Sequence, residues 1–285
     1  MYKTVYKTRY KHRAYNDGAD LPNNILHVRL TSLAFLPLLL NNIHQASARH
    51  IANVLANPIS CAQVLNVPYN DEGDDDDNDD DERQEHPLWG KAFVELGSGA
   101  GVPSWTALKC GARVVSTDLA SANRIRCLAE SLERNYRTMQ REAAAATTMQ
   151  PEATVVSRRL HQAAQARAVP CPWGKPVDTV LACNAGQRFD VVVAADCCYQ
   201  PLSHHDLLDT MDQLLREDDG AVALVPFALH GNTTDASVWS IVTKAEEQGF
   251  VVEHLPTTQL HPPCVGMEAK QGLVHTLRLT RRRTQ

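Results

Sequence analysis

Two acidic residues and a short run of glycines have the residue types and spacing that are needed to bind and orient a ligand. Glu95 closes an apolar segment, and the loop Gly97–Gly101 follows it in the pattern E-x-G-x-G-x-G. Asp118 closes the next apolar segment, 23 residues after Glu95. Glycines at a strand-to-helix junction allow a tight turn and a close approach of the backbone to a ligand.

The details of this pattern narrow the class of ligand. A dinucleotide fingerprint has the form G-x-G-x-x-G, and here Val102 occupies the place of its third glycine. A P-loop requires Gly-Lys-Ser/Thr, which does not follow this loop. Glu95 disfavours a phosphate and suits a cation, whereas an acid at the tip of a second strand can accept hydrogen bonds from ribose hydroxyls. S-adenosylmethionine has a ribose, a sulfonium and an α-amino group, so we predict that it is the cofactor.

The elements that must position these residues follow from the alternation of apolar runs with helical segments after residue 91. Strands are predicted at 92–96, 111–117, 153–157, 189–195, 221–227, 250–254 and 273–279, and helices at 102–110, 121–139, 202–215 and 236–248. Continuously apolar strands are typical of a sheet covered on both faces. We therefore predict an α/β fold, with a Rossmann-like, seven-stranded, mostly parallel sheet and helices on both faces.

Composition divides the chain into four segments. We predict a flexible basic arm at 1–24, an N-terminal helical extension at 25–65 whose helix ends before Pro58, and the α/β domain at 87–285. The segment 66–86 is predicted to be a disordered acidic linker, because like charges at this density repel one another. The segment contains eleven of the chain's 33 acids and one of its 28 bases. The rest of the chain therefore has 22 acids and 27 bases, which is a net charge of +5. The linker could also dock a basic partner.

Four stretches resemble the class I S-adenosylmethionine-dependent methyltransferases. They are Val94–Ser104, Gly111–Asp118, Trp173-Gly174 and Phe189–Tyr199, the last ending in a D-x-x-Y signature, and the likeness covers roughly residues 91 to 280. The last two stretches are similar to the family-16 protein lysine methyltransferases, especially the subgroup once labelled nicotinamide N-methyltransferase-like. That subgroup includes fungal enzymes that modify translation elongation factor 1-alpha.

The resemblance implies a set of site residues. The catalytic residues are Asp196, which would hold the incoming amine, and Tyr199, which would form part of an aromatic lysine channel. Trp173 would pack against adenine, although it could instead cover the core. Asp196 could alternatively cap the helix that follows, and we expect His204 and His205 to face solvent in the first turn of that helix. The predicted cofactor-binding residues are Glu95, Gly97, Ser98, Gly99, Gly101, Asp118, Trp173 and Ala195.

Three functions are compatible with this site. The first is an N-methyltransferase acting on lysine or an N-terminal amine of a protein, such as a translation elongation factor. The second is a small-molecule, nicotinamide-like N-methyltransferase, and the third is a non-catalytic cofactor-binding partner subunit. Eight cysteines without a C-x-x-C pair indicate a reducing compartment and no zinc site. We expect a cytoplasmic monomer that binds a protein substrate, no metal, no nucleic acid and no membrane.

Overall fold

A computed structural model describes residues 46–69, 85–146, 166–229, 234–259 and 272–282. The elements below are numbered within these ranges, and all of them belong to one compact unit. Within the same ranges, no helix is both long enough and apolar enough to cross a membrane.

Several sequence predictions fall wholly or largely outside the described residues. They are the basic arm at 1–24, the first part of the helical extension at 25–65, most of the acidic linker at 66–86, and the strand at 153–157. These segments, and the domain boundaries drawn from them, stay predictions.

The described residues contain one seven-stranded sheet. Its strands are β1 (Ala92–Glu95), β2 (Arg113–Asp118), β3 (Arg167–Pro170), β4 (Val191–Val193), β5 (Val222–Ala228), β6 (Phe250–Gln259) and β7 (Leu273–Arg281). Their order across the sheet is β3-β2-β1-β4-β5-β7-β6. The first five strands in this order pair in parallel, and β7 is antiparallel to both β5 and β6. The predicted mostly parallel sheet is confirmed.

Helices cover both faces of this sheet. They are α1 (Ala46–Ala56), α2 (Pro58–Leu65), α3 (Val102–Lys109), α4 (Ala122–Ala146), α5 (Asp178–Ala182), α6 (His204–Leu214) and α7 (Asp235–Glu247), with a 3₁₀ turn at Pro201–Ser203. Successive strand residues point to opposite faces. Val94 therefore packs with Leu207 of α6 in one core cluster, whereas Phe93 packs with Ile51 of α1 in another. All four of these side chains are fully buried.

The helix predicted to end before Pro58 is α1, which ends at Ala56 as expected, but a further helix follows that the sequence analysis did not predict. The chain begins a second helix, α2, at this proline. Asn57 caps it, because its side-chain oxygen accepts a hydrogen bond from the Ser60 amide at 2.9 Å. Proline is favoured at a first helical position, where its missing N–H leaves no partner unsatisfied.

The third strand also differs from expectation. It lies at Arg167–Pro170, a stretch in which the sequence predicted no strand. Its residues are exposed or half-buried, since it forms the edge of the sheet next to β2. A four-residue edge strand with an arginine and a proline has little of the apolar pattern on which strand prediction depends.

Candidate functional site

The predicted site residues converge on the carboxyl edge of the parallel strands. Glu95 ends β1 and Asp118 ends β2, while Asp196 lies three residues beyond β4. Strands β2 and β4 flank β1 in the sheet. Ligands of open α/β sheets bind outside this edge, so the geometry brings the predicted acids to the side where a ligand is expected.

The glycine loop needs glycine for two different reasons. Gly97 and Gly101 have φ values of +66° and +71°, which other residues rarely adopt. A Cβ on Gly97 would lie 2.8 Å from the Cys197 sulfur and 3.3 Å from the Trp173 ring. A Cβ on Gly101 would lie 2.8 Å from a methyl group of Leu128. The loop is therefore seated directly on the side chains beneath it.

Glu95 lies under this loop with only 1% of its surface exposed. Its Oε2 accepts hydrogen bonds from the Ser104 amide at 3.0 Å and the Ser104 hydroxyl at 2.5 Å. Burial raises the pKa of Glu95 to about 7, the bonds from Ser104 oppose that rise, and the nearby charge of Asp118 adds to it. Glu95 thus caps the first turn of α3 while remaining close to its ionisation point near neutral pH. Sequence reasoning included Ser104 in the motif but did not assign it this role.

Asp118 joins the second strand to the glycine loop. One carboxylate oxygen, Oδ2, accepts a hydrogen bond from the Gly99 amide at 2.8 Å. The other oxygen, Oδ1, accepts from the Leu119 amide at 2.7 Å and pairs with Arg124 at 3.2 Å. The carboxylate is therefore oriented by three donors at the mouth of the site. Arg124 was missed by sequence reasoning, because a basic residue early in a helix is an ordinary solvent-facing feature.

Ser98 holds the tips of β1 and β2 together. Its hydroxyl donates to the Glu95 carbonyl at 3.2 Å and accepts from the Thr117 amide at 3.1 Å. The Thr117 hydroxyl donates to the same carbonyl at 2.9 Å. The Ser98 side chain is buried, so it shapes the loop from below.

Trp173 belongs to a segment that crosses from Asp118 to α6. The Cys171 amide donates to the Asp118 carbonyl at 2.9 Å, which fixes one end of the segment. The Gly174 amide donates to the Thr210 hydroxyl at 2.9 Å and fixes the other. Trp173 is half-buried against the core and lies beside Gly97. The structure thus places its indole next to the glycine loop, where it also covers the core.

Asp196 has an unusual backbone and a partner far away in sequence. Its φ is +59°, in the left-handed region, and its amide donates to the Pro226 carbonyl at 2.8 Å. Its Oδ1 accepts hydrogen bonds from the Ser47 hydroxyl at 3.1 Å and, more weakly, from the Ala228 amide at 3.4 Å. Ala195 beside it is buried. Ser203, not Asp196, is the N-cap residue of α6.

Tyr199 lies in the loop after Asp196 and His204 begins α6, and the two side chains have opposite environments. Tyr199 is 55% exposed. His204 is fully buried, which corrects the prediction that it faces solvent. Its Nε2 lies 2.9 Å from the Cys198 carbonyl and its Nδ1 lies 3.3 Å from the Ser240 hydroxyl, and burial lowers its pKa. His204 therefore ties the loop that carries Asp196 and Tyr199 to α7.

Methyltransferases are among the solved structures to which this chain is similar in overall fold. A TehB-like methyltransferase from Corynebacterium glutamicum aligns with 68% of this chain and 82% of its own, at 15% identity and a TM-score of 0.42. Magnesium protoporphyrin IX methyltransferase from Synechocystis aligns with 85% of each chain, at 14% identity and a TM-score of 0.43. No protein-family model matches the chain.

Curated fungal proteins named "Protein N-terminal and lysine N-methyltransferase" are similar in sequence. The protein from Gibberella zeae is 26% identical over 181 residues, which are 61% of this chain and 62% of that protein. The protein from Aspergillus fumigatus is 30% identical over 166 residues, which are 57% of this chain and 56% of that protein. The chain therefore matches about three fifths of the length of these relatives, and this similarity confirms its resemblance to the protein N-methyltransferases.

Proposed function

We propose that this protein is an S-adenosylmethionine-dependent N-methyltransferase that modifies lysine or an N-terminal amine of a protein. The observation that carries the proposal is the joining of two acids through one loop. Glu95 lies under the loop, and Asp118 accepts a hydrogen bond from its Gly99 amide at 2.8 Å. Two carboxylates at this position suit a ligand that carries a ribose and positive charge.

The residues present fit this cofactor. A Cβ placed on Gly99 would meet no atom of the described residues within 4 Å, so the loop has space beside it at this position. Asp118 would hold the ribose hydroxyls, Glu95 would favour the cationic end, and Trp173 would pack against the adenine. When bound, S-adenosylmethionine supplies a methyl group on a sulfonium whose leaving thioether is neutral.

The chain's own residues then have to present an uncharged amine. A lysine has a reference pKa of ~10.4, so it must lose a proton before attack. Asp196 would bind the ammonium on entry and orient it, and water would take the proton. Removal of water around the amine and alignment of the two reactants can together lower the barrier by about 7–11 kcal/mol.

A protein substrate is favoured by the exposed surface beside Asp196. Tyr199 is 55% exposed and Leu202 is 89% exposed, so the loop that follows Asp196 is accessible to a large substrate. The relatives named as protein N-methyltransferases support the same choice. A translation elongation factor is the substrate implied by the family resemblance.

The direct test is incubation of the purified chain with methyl-labelled cofactor and a fungal cell extract. We expect a labelled protein band with the wild type, loss of that band with Asp196→Ala, and unchanged cofactor affinity of that variant by calorimetry. Asp209→Ala is the matched control, because Asp209 is an exposed aspartate of α6 whose carboxylate contacts only Gln213 of the same helix among the described hydrogen bonds.

Each other outcome has a distinct meaning. Label in a small molecule would replace the proposal with a small-molecule methyltransferase. Cofactor binding without any label would indicate a non-catalytic subunit. Heat on titration with NAD or ATP, but none with S-adenosylmethionine or its demethylated product, would remove the proposed cofactor.

A further inference from the structure

We infer that Ser47 is a positioning residue for the acceptor side of the site, acting through Asp196. The inference rests on the proposed function and names a side chain outside the sequence motifs. Ser47 is the second residue of α1, and 149 positions separate it from Asp196. Its hydroxyl nevertheless donates to Asp196 Oδ1 at 3.1 Å.

The environment of this hydrogen bond makes it an effective restraint. Ser47 is completely buried, and Asp196 is half-buried. A hydroxyl that donates to a carboxylate forms a stronger bond than one between neutral groups, and partial exclusion of water strengthens it further. The bond therefore restricts the rotation of the Asp196 side chain.

Asp196 is a residue for which such a restraint matters. Its left-handed φ of +59° is disfavoured for an aspartate, so neighbouring structure must hold it. Strand β5 holds the backbone, since the Asp196 amide donates to the Pro226 carbonyl at 2.8 Å. Ser47 acts on the carboxylate, the group that the proposed mechanism uses.

Helix α1 is anchored firmly enough to serve this purpose. Ile51 and Leu55 of α1 are fully buried in the core cluster that also contains Phe93 of β1 and Leu108 of α3. The donor hydroxyl is thus fixed relative to the strands that carry the site. The N-terminal helix consequently contributes a polar contact to the reaction centre in addition to packing on the sheet.

The consequence is a selective effect on turnover. Without the hydroxyl, Asp196 Oδ1 keeps the weaker bond from the Ala228 amide at 3.4 Å, so the carboxylate is held less firmly, and small errors in positioning are costly in catalysis. We expect Ser47→Ala to lower kcat by about tenfold, while the KM and the Kd for S-adenosylmethionine stay within about twofold. Loss of general structure would change all three.

The experiment compares Ser47→Ala with a matched control, Ser116→Ala. Ser116 is also completely buried, and its hydroxyl has no hydrogen-bond partner among the residues that the structure describes, so its removal should leave kcat unchanged. Ser47→Thr keeps the hydroxyl and should retain most of the turnover. Ser47→Cys keeps nearly the same side-chain volume but has a weaker donor, so it should give an intermediate loss of kcat. This variant takes the place of Ser47→Ala if the alanine variant does not fold.

A second measurement does not depend on activity. The fall in the unfolding midpoint of the double variant of Ser47→Ala and Asp196→Ala should be smaller than the sum of the falls in the two single variants. This is expected because both single changes break the same hydrogen bond. Full turnover by Ser47→Ala or Ser47→Cys in an active preparation would overturn the assignment of Ser47 alone. Full turnover by Asp196→Ala would also overturn the assignment of Ser47, because Ser47 is inferred to act through Asp196. A wild type that labels no substrate would overturn the proposed function together with this inference.

Discussion

The titration of Glu95 provides a quantitative prediction for ligand binding. Burial raises the pKa of this carboxyl to about 7, so the group changes charge across the physiological range. A cationic ligand is favoured by the ionised form and disfavoured by the neutral form. Binding should therefore release a proton near pH 6, and affinity should rise with pH until Glu95 is fully ionised.

The size of the effect follows from the same value. With a pKa of about 7, roughly one tenth of Glu95 is ionised at pH 6 and roughly nine tenths at pH 8. The Kd for S-adenosylmethionine should therefore be about tenfold weaker at pH 6 than at pH 8. Isothermal titration calorimetry in two buffers of different ionisation enthalpy measures both the affinity and the proton release.

Two variants separate the charge of Glu95 from its role in capping α3. Glu95→Gln keeps an oxygen for the Ser104 donors and removes the titration, so binding should be weak and independent of pH. Ser104→Ala removes the hydroxyl that donates to Glu95 at 2.5 Å. Because that bond lowers the pKa of Glu95, its loss should move the pH dependence of affinity to higher pH.

The stability of the protein should change with pH in the opposite direction. The folded-state pKa of Glu95 lies above its ordinary value of 4.5, so the folded state holds the proton more tightly than the unfolded state. Stability is lost as pH rises from 4.5 to about 7, by about 3 kcal/mol in total. Urea unfolding of wild type and Glu95→Gln across this window should converge at low pH and diverge above it. A wild-type Kd that is constant from pH 6 to pH 8, or an equal slope in Glu95→Gln, would refute the reasoning.

Three further predictions concern the rest of the site. Asp118→Ala should weaken S-adenosylmethionine binding about 10- to 100-fold by calorimetry, because two ribose hydrogen bonds are lost, and an unchanged Kd would exclude the ribose assignment. Gly97→Ala should lower the free energy of unfolding by more than Gly99→Ala. A Cβ on Gly97 meets the Cys197 sulfur at 2.8 Å, whereas a Cβ on Gly99 meets no atom of the described residues within 4 Å. Equal urea midpoints for the two variants would contradict this. Tyr199→Ala should lower methyl transfer without lowering the Tm, because Tyr199 is 55% exposed, and a large fall in Tm would show that it is structural.

Local chemistry was enough to predict much of the sheet and the position of the glycine loop and two acids at its edge. The glycine loop and its flanking acids can be recognised because each works within a few residues of a strand end. Glu95 and Asp118 lie at the tips of neighbouring parallel strands, as the apolar runs before them predicted. Helix α3 begins and ends within one residue of its expected bounds for the same reason.

Features that depend on contacts between distant segments were not visible in the sequence. The edge strand β3 exists because β2 supplies its hydrogen-bond partners, and its own residues have weak strand character. His204 was expected in solvent because a histidine pair at a helix start has no apolar pattern, yet packing of α6 against α7 buries it.

The sequence by itself determined the type of fold and the acids at the sheet edge that we propose to bind a cationic nucleoside, because the period of apolar residues and the conformational freedom of glycine are local properties. Only the tertiary structure decided which side chains orient those acids. Ser104 is nine residues from Glu95 and Ser47 is 149 residues from Asp196. A hydrogen bond requires atoms about 3 Å apart, and the packing of helices on the sheet brings those atoms together.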